Sequence, residues 1–446
     1  MIDLLVRNAR LPSPAGSLSY DLHVDHGRFI ALAPSGTEAP PAGTVLDAGG
    51  SLVTPPYVEP HVHLDSTLTA GQPRWNASGT LWEGIACWSE RKPSLIREDV
   101  LSRVEEVLRW YAANGALHVR SHVDITDPSL VALEALLEVR DRVRDVIGLQ
   151  LVAFPQEGIC SFPGGEQLLE EAARRGVDAI GAIPHFEDTR EDGVRSVQIA
   201  IELAQRHGLM VDAHCDEIDD EQSRFVEVLA TLALRTGLGP RVTASHTTAM
   251  GSYNAAYSYK LQRILSRSGI SMVCNPLVNL HLQGRFDGYP KRRGLTQVKE
   301  LLNAGINVAF GHDDIMDPWY PMGTASPVQV AFVGSHAAQL TAPDEIAECF
   351  RMVTDRAAEV LSLGDSYGIA VGRPASFLLL PAADPFDVIR RQVHPSHVFS
   401  HGRLVATTPP AVTTLTWPGR RVEEIDFIRA SESAPVIPLV PVAQSS

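Results

Sequence analysis

Several features are scarce in this sequence of 446 residues, and each scarcity excludes a class of protein. The five cysteines are few, odd in number and widely spaced, which argues against a disulfide framework and is typical of reduced thiols in a cytoplasmic protein. No run of about 18 apolar residues occurs, so we expect no membrane-spanning helix. The first residues, Met1 to Arg7, lack the basic and apolar parts of a secretory signal.

Positive charge is also scarce. Lysine and arginine number 38 against 53 acidic residues, for a net charge of −15, and only four of the basic residues are lysines. Because nucleic-acid binding depends on a basic surface, we expect no nucleic-acid partner. The hydrophobic fraction of 44% and the charged fraction of 20% are typical of a folded globular protein. The length predicts one large domain together with a smaller one.

From residue 56 onward, short apolar runs alternate with longer amphipathic stretches, and this pattern recurs eight times. The apolar runs, which predict strands, cover residues 57–63, 117–123, 149–154, 179–183, 209–214, 242–246, 270–274 and 306–311. Eight successive βα units favour an α/β fold, a closed (β/α)8 TIM-type barrel over residues 56–364. An open doubly wound sheet is the less favoured alternative, because eight regular units are many for an open sheet.

The two ends of the sequence differ from the middle. Residues 1–55 contain short strand-like pieces separated by Pro, Gly and Asp, and similar sequence returns over residues 365–430 after a predicted helix at 342–363. We expect these two segments to form one small β-sandwich domain that the barrel divides in the sequence. Residues 431–446 are rich in Pro, Val and Ser and are expected to form a loosely ordered C-terminal tail.

Side chains that bind metals end several of the predicted strands. His61 and His63 are two residues apart on the first strand, so their side chains point to one side. His214 ends the fifth strand and Asp313 follows the eighth. Functional residues of such barrels lie at the carboxyl ends of the strands, so we expect these groups to converge. The sequence therefore predicts one divalent metal ion bound by His61, His63, His214 and Asp313, with a position left for water.

The scarcity of lysine bears on the number of metal ions. Two-metal barrels of this type often bridge their ions with a carboxylated lysine from the fourth strand, and the predicted fourth strand, 179–183, contains no lysine. This favours a single ion. His122 and His185 remain candidates for binding a second ion, although such histidines more often support the first site.

Three side chains are candidates for proton transfer. A divalent cation lowers the pKa of a water molecule that it binds, and His246 and Asp313 are placed to accept the proton. Glu217 lies three residues after His214 and can supply a proton to a substrate nitrogen.

Longer strings of residues resemble the bacterial cytosine deaminases of the amidohydrolase superfamily over nearly the whole chain. These strings are residues 59–67, 69–73, 78–81, 153–158, 214–222, 244–248, 275–279, 311–314 and 317–320. The resemblance implies a mononuclear Fe²⁺ or Zn²⁺ site at the four predicted ligands; Mn²⁺ would also suit these ligands. It implies a small-molecule nucleobase substrate and a homo-oligomeric assembly.

The resemblance also implies how the substrate is bound. Gln156 and the backbone of Leu81 would bind the edge of the pyrimidine, Asp314 would lie beside the substrate and Trp319 would form part of the pocket wall. Each side chain has a structural alternative: Gln156 could bridge loops, Asp314 could support a metal ligand and Trp319 could belong to the core.

The implied reaction is hydrolysis of free cytosine to uracil and ammonia, by attack of metal-bound hydroxide at C4 with proton delivery to N3 by Glu217. Relatives that act on isoguanine, isocytosine or 5-substituted cytosines leave the preferred base open, as do differences at Leu68 and Arg74. A cyclic amide hydrolase and a non-catalytic metal- or nucleobase-binding protein are further alternatives. The presence of both Glu217 and His246 argues against the binding protein, which needs no groups for proton transfer. The zinc cytidine deaminase design is excluded because the sequence has no Cys-x-x-Cys.

Overall fold

A computed structural model describes residues 1–12, 18–419, 423–425 and 427 of the chain. The strands are β1 (Ile2–Leu11), β2 (Leu18–Asp25), β3 (Arg28–Pro34), β4 (Ala42–Asp47), β5 (Leu52–Thr54), β6 (Tyr57–Val62), β7 (Ala116–Asp124), β8 (Gly148–Phe154), β9 (Ala179–Ala182), β10 (Met210–Cys215), β11 (Val242–His246), β12 (Ser271–Cys274), β13 (Val308–Phe310), β14 (Phe377–Leu380), β15 (His397–Ser400), β16 (Arg403–Thr407), β17 (Thr413–Leu415) and β18 (Glu423–Ile425).

The helices surround the middle strands. They are α1 (Leu81–Arg91), α2 (Arg97–Ala113), α3 (Val131–Val143), α4 (Gly165–Arg175), α5 (Arg190–His207), α6 (Phe225–Thr236), α7 (Ala255–Ser268), α8 (Pro276–Leu282), α9 (Val298–Asn303), α10 (Pro327–Ala337), α11 (Pro343–Met352), α12 (Asp355–Val360) and α13 (Pro385–Arg391). Short 3₁₀ segments lie at Lys92–Ser94, Gly239–Arg241, Thr248–Ser252 and Gly364–Ser366. Among the residues that the structure describes, no helix is both long and apolar enough to cross a bilayer.

Strands β6 to β13 form a parallel sheet in which each strand pairs with the next along the chain. The first and last strands meet at a parallel bridge between Val62 and Asp313. Two backbone hydrogen bonds of 2.8 Å support this seam, from His63 N to Asp313 O and from Asp313 N to His61 O. The sheet therefore nearly closes, which confirms the predicted (β/α)8 barrel and makes the open-sheet alternative wrong. The ends of each predicted barrel strand agree with those of an observed strand to within about two residues. The agreement is close because parallel strands that are buried on both faces appear in a sequence as nearly continuous apolar runs.

The other large sheet combines the two ends of the chain. Its strand order is β16-β15-β14-β5-β1-β2-β3, with β4 beside β1. Antiparallel pairing of Leu378 with Thr54 joins the C-terminal strands to the N-terminal ones. Phe377 and Phe399 stack in its apolar core with their ring centroids 4.6 Å apart. The sheet domain built from both ends is confirmed, whereas its limits at residues 55, 364 and 430 stay a prediction. The predicted tail at 431–446 lies outside the described residues.

The prediction of one helix over residues 342–363 is wrong, because two helices, α11 and α12, occupy this segment. Thr354 separates them with φ −131° and ψ −102°, and its hydroxyl donates to Phe350 O at 2.8 Å. Such a side-chain bond to a carbonyl four residues earlier disturbs a helix. The sequence analysis also missed helices α1, α8, α10 and α13. Three of these begin with a proline in the first turn, a signal that could have located them.

Candidate active site

The four predicted metal ligands lie together at the carboxyl ends of the barrel strands. The Nε2 atoms of His61 and His63 are 3.2 and 3.5 Å from Asp313 Oδ1. His63 Nε2 is also 3.0 Å from His214 Nε2. All four side chains are buried. The structure therefore brings together the residues that the sequence predicts to bind a metal ion.

The chemistry of this cluster fits a divalent cation. Burial, reinforced by neighbouring imidazoles, lowers the pKa of His61, His63 and His214 well below the usual range, so these rings are neutral and can bind a metal. Among the described residues, His61 Nε2 and Asp313 Oδ2 find no hydrogen-bond partner, although both atoms are buried. Buried polar atoms without partners are costly, and a bound cation would satisfy them.

His122 and His185, the candidates for a second ion, lie in different surroundings. The His122 ring packs 3.9 Å from that of His61, and His122 can share an ion with His61 and His63, since ligand atoms of the three lie within 4.8 Å of one another. His185 belongs to no such group among the described residues, and burial lowers its pKa to about 4. The structure therefore places His122 beside the predicted metal ligands and His185 away from them. Binding of a second ion remains a prediction.

A buried chain of polar side chains supports His61 from below. Ser245 Oγ lies 2.9 Å from His61 Nδ1 and donates to Asp212 Oδ1 at 2.7 Å. The guanidinium of Arg120 donates in turn to Asp212 Oδ2 at 3.0 Å. Such contacts fix the orientation of a ligand imidazole. The sequence analysis missed all three residues, although Asp212 lies two positions before His214 on β10 and so faces the same side.

Glu217 and His246 form a close pair beside the ligands. His246 Nδ1 is 3.1 Å from Glu217 Oε1 and 3.8 Å from Asp313 Oδ2. Burial lowers the pKa of His246, but the two carboxylates outweigh this effect and raise it to about 9. Asn279 Nδ2 lies 3.0 Å from the same ring nitrogen. A proton can therefore pass directly between the Glu217 carboxyl and the His246 imidazole.

Three residues at strand ends have backbone angles in the left-handed region: Asp216 (φ 53°), His246 (φ 68°) and Asp313 (φ 72°). This region is uncommon for residues other than glycine, and such strain concentrates at functional sites. The strained backbone of Asp216 lies in a turn that the Asp216 carboxylate stabilises by accepting hydrogen bonds from Ser223 Oγ and Phe225 N. Asp216 thereby positions Glu217, the next residue.

A small cavity, called the inner cavity below, opens onto these groups. Its lining consists of His63, Leu81, Gln156, His214, Glu217, His246, Leu282, Asp313, Asp314 and Trp319. Every predicted site residue except His61 contributes to this wall, and His61 lies beneath it, fully buried. A concave site lined by apolar side chains and a few polar groups is typical of small-molecule binding.

The predicted substrate residues enter the wall from loops and helix ends. Leu81 is the first residue of α1, Gln156 follows β8, and Asp314 and Trp319 follow β13. Asp314 Oδ1 is buried without a hydrogen-bond partner among the described residues. The sequence analysis missed Leu282, the last residue of α8. The Asn-Pro at 275–276, which begins that helix, is the signal that could have placed it.

Comparisons with known proteins agree with this architecture. The sequence pattern of the Amidohydrolase family matches residues 44–406, which include all eight barrel strands. A crystal structure of 5-methylcytosine deaminase from Klebsiella pneumoniae, liganded with 5-fluorocytosine, is 47% identical with a TM-score of 0.89, covering 93% of this chain and 100% of that chain. Pterin deaminase of Rhizobium rhizogenes is 29% identical over 90% of both chains. N-isopropylammelide isopropyl amidohydrolase of Pseudomonas sp. (strain ADP) is 28% identical, over 90% of this chain and 97% of its own. On the extent of these matches, the chain belongs to the Amidohydrolase family.

Proposed function

We propose that the protein is a metal-dependent deaminase that hydrolyses free cytosine to uracil and ammonia. The observation that carries this proposal is the Glu217–His246 pair, at 3.1 Å, on the wall of a small cavity that also exposes three of the four predicted metal ligands. The 47% identity with a 5-methylcytosine deaminase supports a cytosine-type base as substrate.

His61, His63, His214 and Asp313 would hold one divalent cation. Three neutral imidazoles and one carboxylate suit Fe²⁺, Zn²⁺ or Mn²⁺. When bound, the cation supplies the acidification of water that hydrolysis near neutral pH requires. His246 approaches the same group of atoms, but its contact with Glu217 favours a role in proton transfer.

Glu217 and His246 would move the protons of the reaction. Water that adds to C4 loses a proton, while ring N3 and the departing amine gain protons, so the site needs groups that both accept and donate. His246, whose raised pKa keeps it protonated near neutral pH, passes a proton to Glu217 across their 3.1 Å contact and then accepts the proton that the water loses. Glu217 then delivers it to N3. Asn279, 3.0 Å from His246 Nδ1, keeps the imidazole in place.

Gln156, Leu81 and Trp319 would select the base. The Gln156 amide and the Leu81 backbone provide donors and acceptors for the ring edge, and the Trp319 indole provides an apolar face. The small inner cavity favours one pyrimidine over a nucleoside with its ribose. This size supports the free base as substrate.

A second candidate substrate is 5-methylcytosine, favoured by the similarity to the Klebsiella pneumoniae protein. Isocytosine and isoguanine remain alternatives that the same proton-transfer groups would serve. The match to a pterin deaminase adds pterin to the bases worth testing.

The test is ammonia release with identification of the product. Cytosine, 5-methylcytosine, isocytosine, isoguanine, pterin and cytidine are each supplied to the metal-loaded protein. We expect cytosine or its 5-methyl derivative to be deaminated fastest. Equal turnover of cytidine would contradict the free-base assignment, and absence of turnover with every base would contradict the proposed function.

Glu217→Gln tests the proton-transfer role. This change removes the titratable oxygen but preserves the shape of the side chain, so turnover should fall by about 10²- to 10⁴-fold with unchanged metal content. Glu221→Gln, on the exposed part of the same loop, is the matched control and should keep full activity. Turnover that survives in Glu217→Gln would show that another group transfers the proton.

A further inference from the structure

The indole of Trp319 separates two cavities. One is the inner cavity, and the other is an outer cavity of about 240 Å³ that is lined by Trp75, Asn76, His281 and Arg285, among others, as well as by Trp319. Trp319 itself is only 5% exposed. Its position therefore decides how the available space is divided between the two cavities.

Gly84 of helix α1 provides the surface on which this indole lies. A Cβ atom added at Gly84 would come within 2.4 Å of Trp319 Cδ1 and 2.5 Å of Nε1. Carbon atoms in contact prefer separations of about 3.5–4.0 Å, so even a methyl group at this position must displace the ring. Leu81 lies three residues earlier, on the same face of the helix, and lines the inner cavity.

The backbone around Trp319 is held firmly. Asp317 Oδ1 accepts hydrogen bonds from Trp319 N at 2.9 Å and from Tyr320 N at 3.0 Å. Ser66 Oγ donates to the other oxygen of Asp317 at 3.1 Å, and Asn76 Nδ2 donates to Pro318 O at 3.1 Å. A steric conflict with the indole would therefore be relieved by movement of the side chain and not of the loop.

The helical conformation of α1 does not require a glycine at position 84. Glycine inside a helix is less favourable than alanine. Gly84 does not have a positive φ angle, so its backbone would accept alanine. Thr80 caps the helix by accepting a hydrogen bond from Glu83 N at 3.2 Å. The close approach of Trp319 is the feature that requires glycine here.

We propose that Gly84 is a specificity-determining residue that acts through Trp319. By letting the indole lie directly against α1, Gly84 sets the space beside the substrate ring in the inner cavity and so decides which ring substituents fit. The claim that Gly84 decides which ring substituents fit rests on the proposed function. The claim that Gly84 sets the position of the indole does not.

The first test compares cytosine with 5-methylcytosine in Gly84→Ala. The displaced indole changes the space beside the substrate ring in the inner cavity, so the ratio of kcat/KM for 5-methylcytosine to that for cytosine should change about tenfold or more, mainly through KM. Gly334→Ala is the matched control. Its Cβ would come within 2.6 Å of the Phe310 ring, which lines neither cavity, so stability should change without a change in the ratio. A ratio within twofold of the unaltered protein in Gly84→Ala would overturn the proposal.

Trp319→Ala tests whether the effect passes through the indole. Alanine lacks the three ring atoms that lie against Gly84, so Gly84→Ala should change the ratio far less in the Trp319→Ala background. Additive effects of the two changes would overturn the proposal. If Gly84→Ala fails to fold, the variant that carries both substitutions should still fold. Failure of both variants to fold would overturn the proposal.

A crystal structure of Gly84→Ala separates this proposal from the proposed function. A shift of the indole by about 1 Å or more supports the role of Gly84 whichever base is the substrate. An indole that has not moved overturns it, even if cytosine is deaminated. Absence of turnover with every base, together with a shifted indole, would contradict the proposed function alone.

Discussion

The floor and the rim of the inner cavity are built in different ways. The floor consists of His63, His214, His246 and Asp313, carried on strands or directly after them, whereas the rim consists of Leu81, Gln156, Leu282 and Trp319, carried on helix ends and loops. Strand pairing such as that of Cys215 with His246 fixes the floor. Side-chain contacts fix the rim. Under the proposed function, the reaction chemistry belongs to the rigid part of the fold, and selection of the substrate belongs to the part that can change without disturbing the barrel.

Removal of a floor ligand should have the largest effect. In His214→Ala the metal site loses one imidazole, and we expect loss of the bound ion together with a fall in turnover of at least about 10³-fold. Metal analysis and the ammonia assay measure both. His118→Ala removes a half-buried histidine near the start of β7, at the opposite end of the barrel, and should leave the metal content unchanged. A His214→Ala protein that kept its full metal content would break the distinction between floor and rim.

A substitution at the seam of the barrel, where β6 meets the segment after β13 below the floor, should weaken metal binding to an intermediate extent. Glu59 Oε1 accepts hydrogen bonds from His61 N and His312 N, both at 3.0 Å, while Tyr111 OH donates to Oε2 at 3.2 Å. The carboxylate thereby ties β6 to the segment after β13, where the two strands share only one bridge.

Glu59→Gln should therefore weaken metal binding without touching a ligand. The amide keeps one acceptor but turns an NH₂ group toward donors, so His61 and Asp313 should lose alignment and metal affinity should fall about tenfold or more. Excess metal should restore most of the turnover. Tyr111→Phe, which removes a single donor, is the milder control. Equal metal affinity in Glu59→Gln and the unaltered protein would show that the backbone bonds alone hold the seam.

The sequence predicted the floor better than the rim for a physical reason. Side chains on a strand alternate with a period of two, so His61 and His63 could be assigned to one side of β6 without knowledge of the fold. Leu282 could not be assigned in this way, because its place in the wall depends on how α8 packs after a loop. Trp319 and Gln156 were assigned through the family resemblance, and not through spacing.

Charged residues inside the barrel were the least predictable. Arg120 and Asp212 are fully buried and bonded to each other, yet a lone Arg or Asp in a sequence is expected at the surface. Helix starts were also missed where the first turn is polar. The amphipathic pattern in the sequence predicts a helix from Val194 to Arg206, whereas helix α5 begins at Arg190, because Thr189 Oγ1 accepts a hydrogen bond from Asp192 N at 3.1 Å.

A substitution at the rim should have the smallest effect on turnover. The side chain of Leu282 is apolar, so it can neither transfer a proton nor bind a metal ion. Leu282→Ala should leave the metal content and kcat nearly unchanged, because the floor is intact, and should raise KM a few-fold by admitting water beside the base. Stability should fall by about 2–5 kcal/mol, since a buried leucine is truncated. Leu265→Ala in α7 removes the same volume from the core and should lower stability without changing KM. If Leu282→Ala instead lowered kcat as strongly as a floor variant does, the rim would take part in the chemistry and the division between the two parts of the cavity would not hold.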